Sequence, residues 1–207
     1  MENQRNSKEV PDWLAEFHGH LCPFLVVGWR MGQEALARLG EQRERDQGLF
    51  LFTELGGDTL RAQSCYEDGL QAATGCTVGK GTLRRLNFGK VAAVLAQPGA
   101  TALRIALRPE VCDELAKTDY ASERRQGKPA SAVSSAAIAD AVGRVTRMSA
   151  EDLFSFEHFA VVHFRPVVAD PARARCASCG EYVFEQDAVT KEGHVLCRPC
   201  AGHLATV

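Results

Sequence analysis

The sequence predicts an α+β fold, a mixed β-sheet flanked by helices, followed by a small metal-stabilised module at the C-terminus. Three observations lead there. Strand-like and helix-like segments alternate irregularly, with few strict βαβ repeats. A short linker with an Asp-Pro turn, "VVADPARAR", interrupts the chain near residue 170, and two CxxC pairs follow it. The 207 residues, 45% hydrophobic and 24% charged, are enough to bury a substantial core, and the balance is that of a globular rather than a disordered chain. The linker puts a core domain at residues 1–169 and the small module at 170–207.

Within the core, Phe24 to Glu41 has helical periodicity, because Leu25, Trp29, Leu36 and Leu39 lie close to one face. The segments "LFLFTEL", "NFGKVAAVLAQ", "ALRIALRP" and "HFAVVHFRP" are apolar runs with Gly or Pro punctuation and predict strands. Helices are expected over Cys65–Ala73, Pro109–Arg125, Ser131–Val145 and Ala150–Phe154, and the polar stretch "ASERRQGKPASAVSS" predicts a loop. No apolar run reaches the length of a membrane span, and the polar start "MENQRNSKEVPDW" lacks the layout of a secretory signal, so a cytoplasmic protein is expected. Eight cysteines in such a chain point to metal ligands, reactive thiols or buried residues rather than a disulfide framework. Cys112, outside every motif, reads as a buried core residue.

In "CASCGEYVFEQDAVTKEGHVLCRPC", Cys176, Cys179, Cys197 and Cys200 form two pairs. A two-residue gap lets both sulfurs of a pair point into one tetrahedral site, so the expected occupant is a structural zinc held by four thiolates. Glu181–Glu185 and His194–Leu196 predict short strands around the turn "TKEG", and a short helix is expected from Cys197, which together describe a treble clef. His194 and His203 lie near, but four sulfurs already complete the tetrahedron. Four thiolates around a divalent zinc would move the formal net charge from −2 to −4, and the charges around the cysteines are balanced, which argues against nucleic acid as a partner.

The stretch "FHGHLCPF" gathers His18, His20 and Cys22. In an extended segment all three side chains would face one way; in a helix His18 and Cys22 would share a face. Pro23 suits a first helical turn, so an irregular approach leading into the helix is expected, and Cys22 beside imidazoles at a helix N-terminus should have a lowered pKa. "TGCTVGKGTL" invites comparison with a phosphate loop, but only three residues separate Gly75 from Gly79, and Gly81 follows Lys80 where Ser or Thr is needed. Its glycines would let backbone N–H groups approach a ligand, or would simply make a tight helix-to-strand turn.

"FHGHLCPFLVVGWRMG", followed by "CYEDGLQAATGCTVGKGTLRRLNFGK", resembles the FmdE family of formylmethanofuran dehydrogenase, whose two-domain members also end in a treble-clef zinc finger. Phe24 and Gly69 depart from the pattern, which has Gly and Ala there. The resemblance implies a somewhat thioredoxin-like core with a second metal, zinc or another transition metal, held by His18, Cys22 and Cys65, with His20 as the next ligand. It implies a catalytic set of Cys22, His20, Asp68 and Lys80, with Cys76 and Thr77 contacting a cofactor. A homodimer, and a link to a molybdenum or tungsten enzyme or its cofactor, follow from the same resemblance. The alternatives are thiol redox chemistry by Cys22 with Cys65 or Cys76, and a binding or regulatory role for the zinc finger.

Overall fold

Glycine decides how closely the two central helices approach. In the computed structural model, which describes residues 10–56, 62–159 and 170–202, helix α1 spans Asp12–His18, α2 Pro23–Leu39 and α3 Cys65–Thr74. A Cβ on Gly28 would lie 2.6 Å from the Tyr66 carbonyl carbon and closer still to its oxygen; one on Gly69 would lie 2.5 Å from the Trp29 nitrogen. Gly69 therefore answers its own departure from the family pattern: α3 lies backbone against backbone on α2, with no room for alanine. Phe24, the other departure, packs against the central core.

Helix α1 is an addition to the helices that the sequence predicts. It is seven residues long, too short to be stable alone, and is held by fully buried Leu14. It stops at Gly19, whose φ of 89° is left-handed and whose N–H bonds the Ala15 carbonyl. Helix α2 starts where expected: Pro23 occupies the first turn, and the Cys22 sulfur accepts the Leu25 N–H.

Five strands form one sheet in the order β2-β1-β3-β4-β5: β1 Phe50–Thr53, β2 Leu83–Arg85, β3 Ala92–Ala96, β4 Ala102–Leu107 and β5 Phe154–Phe159. Strands β1 and β2 are parallel and the other neighbours antiparallel, so the sheet is mixed. In β3 and β4 the residues facing the core are small or aliphatic, and Leu95, Leu103 and Ile105 join Val26, Met31 and Leu70 of the helices in the central core. Strand β5 includes only the first residues of "HFAVVHFRP"; residues 160–169 lie outside the described ones.

The helix expected over Pro109–Arg125 is two, α4 Pro109–Ala116 and α5 Asp119–Arg125. Buried Thr118 sits between them in extended conformation (φ −72°, ψ 156°), and its hydroxyl accepts the Ala121 N–H, so a new helix begins there. Helices α6 Ser135–Arg147 and α7 Ala150–Leu153 follow. Arg30 of α2 donates to the Val145 and Met148 carbonyls at 2.6 and 2.7 Å, filling the open C-terminus of α6. A second apolar cluster, of Leu14, Cys22, Leu25, Trp29, Tyr120, Val133 and Ala137, draws on α1, α2, α5 and α6.

The chain divides into two compact units, Met1–Arg165 and Pro166–Val207. In the second, the strands pair differently from expectation. Strand β7 (Tyr182–Phe184) pairs with β6 (Arg173–Arg175), and β9 (His194–Leu196) with β8 (Val189–Lys191). The "TKEG" turn, with positive φ at Glu192 and Gly193, connects β8 to β9 rather than β7 to β9. Residues 198–202 are turns rather than the start of a helix, and His203 lies outside the described residues. No helix among the described residues is long and apolar enough to cross a membrane.

Candidate metal centre

Three chain segments converge on one point. His18 ends α1, the left-handed Gly19 turns the chain so that His20 follows, Cys22 caps α2, and Cys65 opens α3. One ligand atom from each of His18, His20, Cys22 and Cys65 lies within 4.8 Å of the others. Asp68, one turn along α3 from Cys65, lies 2.7 Å through its Oδ2 from His18 Nδ1. An ionised carboxylate only accepts, so the proton sits on Nδ1 and Nε2 keeps its lone pair. That Nε2 is buried and has no hydrogen-bond partner. A carboxylate fixing the far nitrogen while the near one is left bare is the arrangement of a metal-ligating histidine. The His18 and His20 rings stand 4.4 Å apart at 43°, and burial, then His18, then Arg124 lower the His20 pKa, which favours the neutral ring a ligand needs.

The thiols divide one negative charge between them, and not as the sequence suggests. The Cys22 and Cys65 sulfurs lie within 4.8 Å of each other, and the Cys22 pKa is raised, first by its interaction with the Cys65 sulfur and second by burial. Cys65 is brought down to about 6, chiefly by the neighbouring Cys22 thiol and further by His18. Both residues stand at helix N-termini, where the helix dipole favours a thiolate. Burial decides which takes the charge: Cys22 is 1% exposed, whereas Cys65 is only partly covered. Two imidazole nitrogens and two sulfurs make a donor set that fits a borderline-soft divalent ion in tetrahedral geometry.

In the second unit the sulfurs of Cys176, Cys179, Cys197 and Cys200 also lie within 4.8 Å of one another. The Cys197 N–H donates to the Cys176 sulfur at 3.3 Å. Backbone N–H groups of Cys179 and Cys197 hold the Cys176 thiol down at about 6, as a metal-binding knuckle requires. Neither His194 nor any carboxylate belongs to this group, which fits a zinc finger.

Residues 17–155 match the family described as "FmdE, Molybdenum formylmethanofuran dehydrogenase operon". The chain belongs to the FmdE family. A probable S-adenosyl-L-methionine-binding protein of Archaeoglobus fulgidus is 29% identical over 199 residues, 90% of this chain and 51% of the relative. The chain thus spans about half the length of that curated relative. A solved FmdE-like protein of tungsten formylmethanofuran dehydrogenase type, from Syntrophus aciditrophicus, shares the fold with a TM-score of 0.60 and 21% identity, covering 94% of this chain and 91% of that one.

Against the residues that the FmdE resemblance nominates, the fold brings together His18, His20, Cys22, Cys65 and Asp68. It does not bring Cys76, Thr77 and Lys80 to them. These follow the C-terminus of α3, and ten helical residues, roughly 15 Å, separate them from Cys65 at its N-terminus. Cys76 is fully buried, its thiol donates to the Leu49 carbonyl at 3.4 Å, and burial pushes it up to about 11. Lys80 Nζ donates to the Glu44 carbonyl, clamping the loop before β1. The loop N–H groups of Thr77, Lys80 and Gly81 are bonded within their own turn, which is the tight-turn alternative. One thread joins the two places: the Val78 N–H donates to Gln71 Oε1 at 3.4 Å, and Gln71 Nε2 donates to Asp68 Oδ1 at 3.0 Å. Sequence reasoning missed Gln71, Tyr120 and Arg124. Gln71 falls on the same side of α3 as Asp68, a spacing of three that could have flagged it; Tyr120 and Arg124 lie in no motif and reach the site only through the fold.

Proposed function

We propose that this FmdE-family chain is a two-metal protein. The core, residues 1–169, holds a reactive or exchangeable transition metal, and residues 170–207 form a treble clef around a structural zinc. The observation that carries the core site is the buried, partnerless Nε2 of His18, set by Asp68 and facing two sulfurs and a second imidazole. In this reading His18, His20, Cys22 and Cys65 hold the ion, and Asp68 orients His18 and is the carboxylate available as a proton acceptor. A bound ion would supply Lewis acidity and stabilise both sulfurs as thiolates. The family's association with a molybdenum formylmethanofuran dehydrogenase operon supports a role as an enzyme of, or accessory to, a molybdenum or tungsten system; in this reading the chain acts in the cytoplasm as a homodimer. The S-adenosyl-L-methionine in the archaeal relative's name is not carried over, since half of that protein lies outside the match. Elemental analysis of protein purified without a tag or chelator should give two metal equivalents per chain. Cys22→Ser, Cys65→Ser and His18→Ala should each lose one equivalent while the four-cysteine site stays filled; retention of both equivalents in all three variants sinks the proposal.

A second reading, thiol–disulfide exchange, is favoured by the nearness of the Cys22 and Cys65 sulfurs, which lie within 4.8 Å of each other. Here the Cys65 thiolate attacks an external disulfide and releases one thiolate of it. The Cys22 sulfur, as its proton leaves, then displaces the second, forming a Cys22–Cys65 disulfide. With Cys65 at about 6, its alkylation by iodoacetamide in chelator-stripped protein should rise through pH 6 and level off by pH 8, because the thiolate is the nucleophile. If metal-replete protein reacts as fast and yields the same disulfide with oxidised glutathione, the redox reading wins. Protection by the metal supports the first reading.

A further inference from the structure

We propose that the exposed face of the β6–β7 ribbon binds single-stranded RNA: Tyr182 and Phe184 stack on unpaired bases, and Arg173 and Arg175 hold the adjoining phosphates. This rests on the reading of residues 170–207 as a zinc-held module, because strands of three residues need that support to keep their register. The register itself makes the face. Arg173 lies opposite Phe184, and Arg175 opposite Tyr182. Directly paired residues, and residues two apart on one strand, share a side of a sheet. All four side chains therefore stand on one side, while Ala174 and Val183, paired with each other, are half-buried on the opposite side. Tyr182 is 67% exposed and Phe184 45%, so neither ring serves the interior of the module.

Arg175 fixes the platform. Its guanidinium carbon lies 4.8 Å from the centroid of the Tyr182 ring, and its Nη2 donates to the Tyr182 hydroxyl at 3.4 Å. The cation is held against a ring that stays largely open to solvent. Along β7 the two rings are about 6.6 Å apart, about twice the 3.4 Å rise per nucleotide of a stacked strand, so each ring takes one base of a splayed strand. Aromatic rings offer π faces rather than hydrogen bonds to base edges, and base faces are free only where the bases are unpaired. RNA loops and ends present such bases most often. The charge balance of the module is not the charge of this face. Glu181, next to Tyr182 in sequence, lies 3.7 Å from the Cys179 sulfur, and Asp187 pairs with Arg198. Asp170 reaches Arg173 at 3.8 Å, but both groups are exposed, so water screens the pair and a phosphate, which arginine binds through two N–H groups, competes for it.

The test uses full-length, zinc-loaded protein and a short fluorescein-labelled oligouridylate, read by fluorescence anisotropy. The wild type should bind saturably, and log K should fall against log salt with a slope of about −1.4, from about −0.7 for each of two phosphates. Tyr182→Leu and Phe184→Leu should each weaken binding roughly 5- to 150-fold, the loss of one stacked base, without changing the slope. Arg173→Gln and Arg175→Gln should each flatten the slope to about −0.7. A blunt RNA duplex should not displace the oligouridylate. No binding by the wild type, undiminished binding by both leucine variants, or displacement by the duplex overturns the proposal. Displacement by oligoglutamate as readily as by unlabelled RNA shows a site for any anionic chain and overturns it too, and tighter binding of oligodeoxyuridylate overturns the choice of RNA. Should a leucine variant lose zinc from its four cysteines, photocrosslinking of the wild type to 5-iodouridine RNA should attach at Tyr182 or Phe184, and attachment elsewhere overturns the proposal. A wild type without zinc at those cysteines would mean instead that the module reading had failed.

Discussion

Gly28→Ala is expected to lower the melting temperature by about 6–12 °C and to empty the core metal site together. The added methyl group would sit 2.6 Å from the Tyr66 carbonyl carbon and 2.8 Å from its Cα, nearer still to its oxygen. All three are backbone atoms of α3, so no rotamer change can relieve the clash and the two helices must separate. Overpacking of this kind costs about 3 kcal/mol or more, which for a chain of this size gives the stated shift. Because Cys22 opens α2 and Cys65 opens α3, the helix contact that Gly28 permits also sets the spacing of the two sulfurs. Gly69→Ala attacks the same contact from the other side, at the Trp29 nitrogen and the Leu25 carbonyl, and should behave alike. Differential scanning calorimetry with elemental analysis checks this; a variant melting within about 2 °C of the parent and retaining its core metal would show that the helices can part without cost.

Cys197→Ser should unfold the chain beyond about Arg175 while leaving the thermal transition of the core in place. Among the described residues of the second unit, Cys176 is the only hydrophobic side chain that is buried, and the strands are three residues each. Such short ribbons have no apolar core to hold them, so the ligated metal must supply the folding free energy. Serine lacks the thiolate, and three sulfurs leave an incomplete shell. Limited proteolysis should cut the variant within residues 176–200 at a rate at least tenfold above the parent. A protease-resistant tail that keeps its metal would place the stabilisation elsewhere. Full loss of the core transition would show instead that the two units depend on one another.

Much of this is legible in the sequence wherever the determinant is local. A two-residue gap between cysteines is nearly sufficient to aim two sulfurs at one point. Pro23 after Cys22 and the periodicity of Leu25, Trp29, Leu36 and Leu39 are enough to start and continue α2. Strands β1, β3 and β4 follow from apolar runs closed by Gly or Pro. The histidines and cysteines of "HGHLC" stand out by their types and by a family pattern, and the fold places their ligand atoms with that of Cys65.

What only the tertiary structure decided has in each case a partner distant in sequence. Helix α1 is too short to persist by propensity and exists because Leu14 is buried. Helix α5 begins at Thr118 because a capping hydroxyl competes with continued helix, and that break lets Tyr120 join the apolar cluster that contains Cys22. Cys76 and Lys80 belong to the site by motif, but the length of α3 holds them at its other end. Cys65 rather than Cys22 takes the negative charge, because the energy of a thiolate depends on its burial and on the donors around it, and those are supplied by segments that local sequence does not bring together.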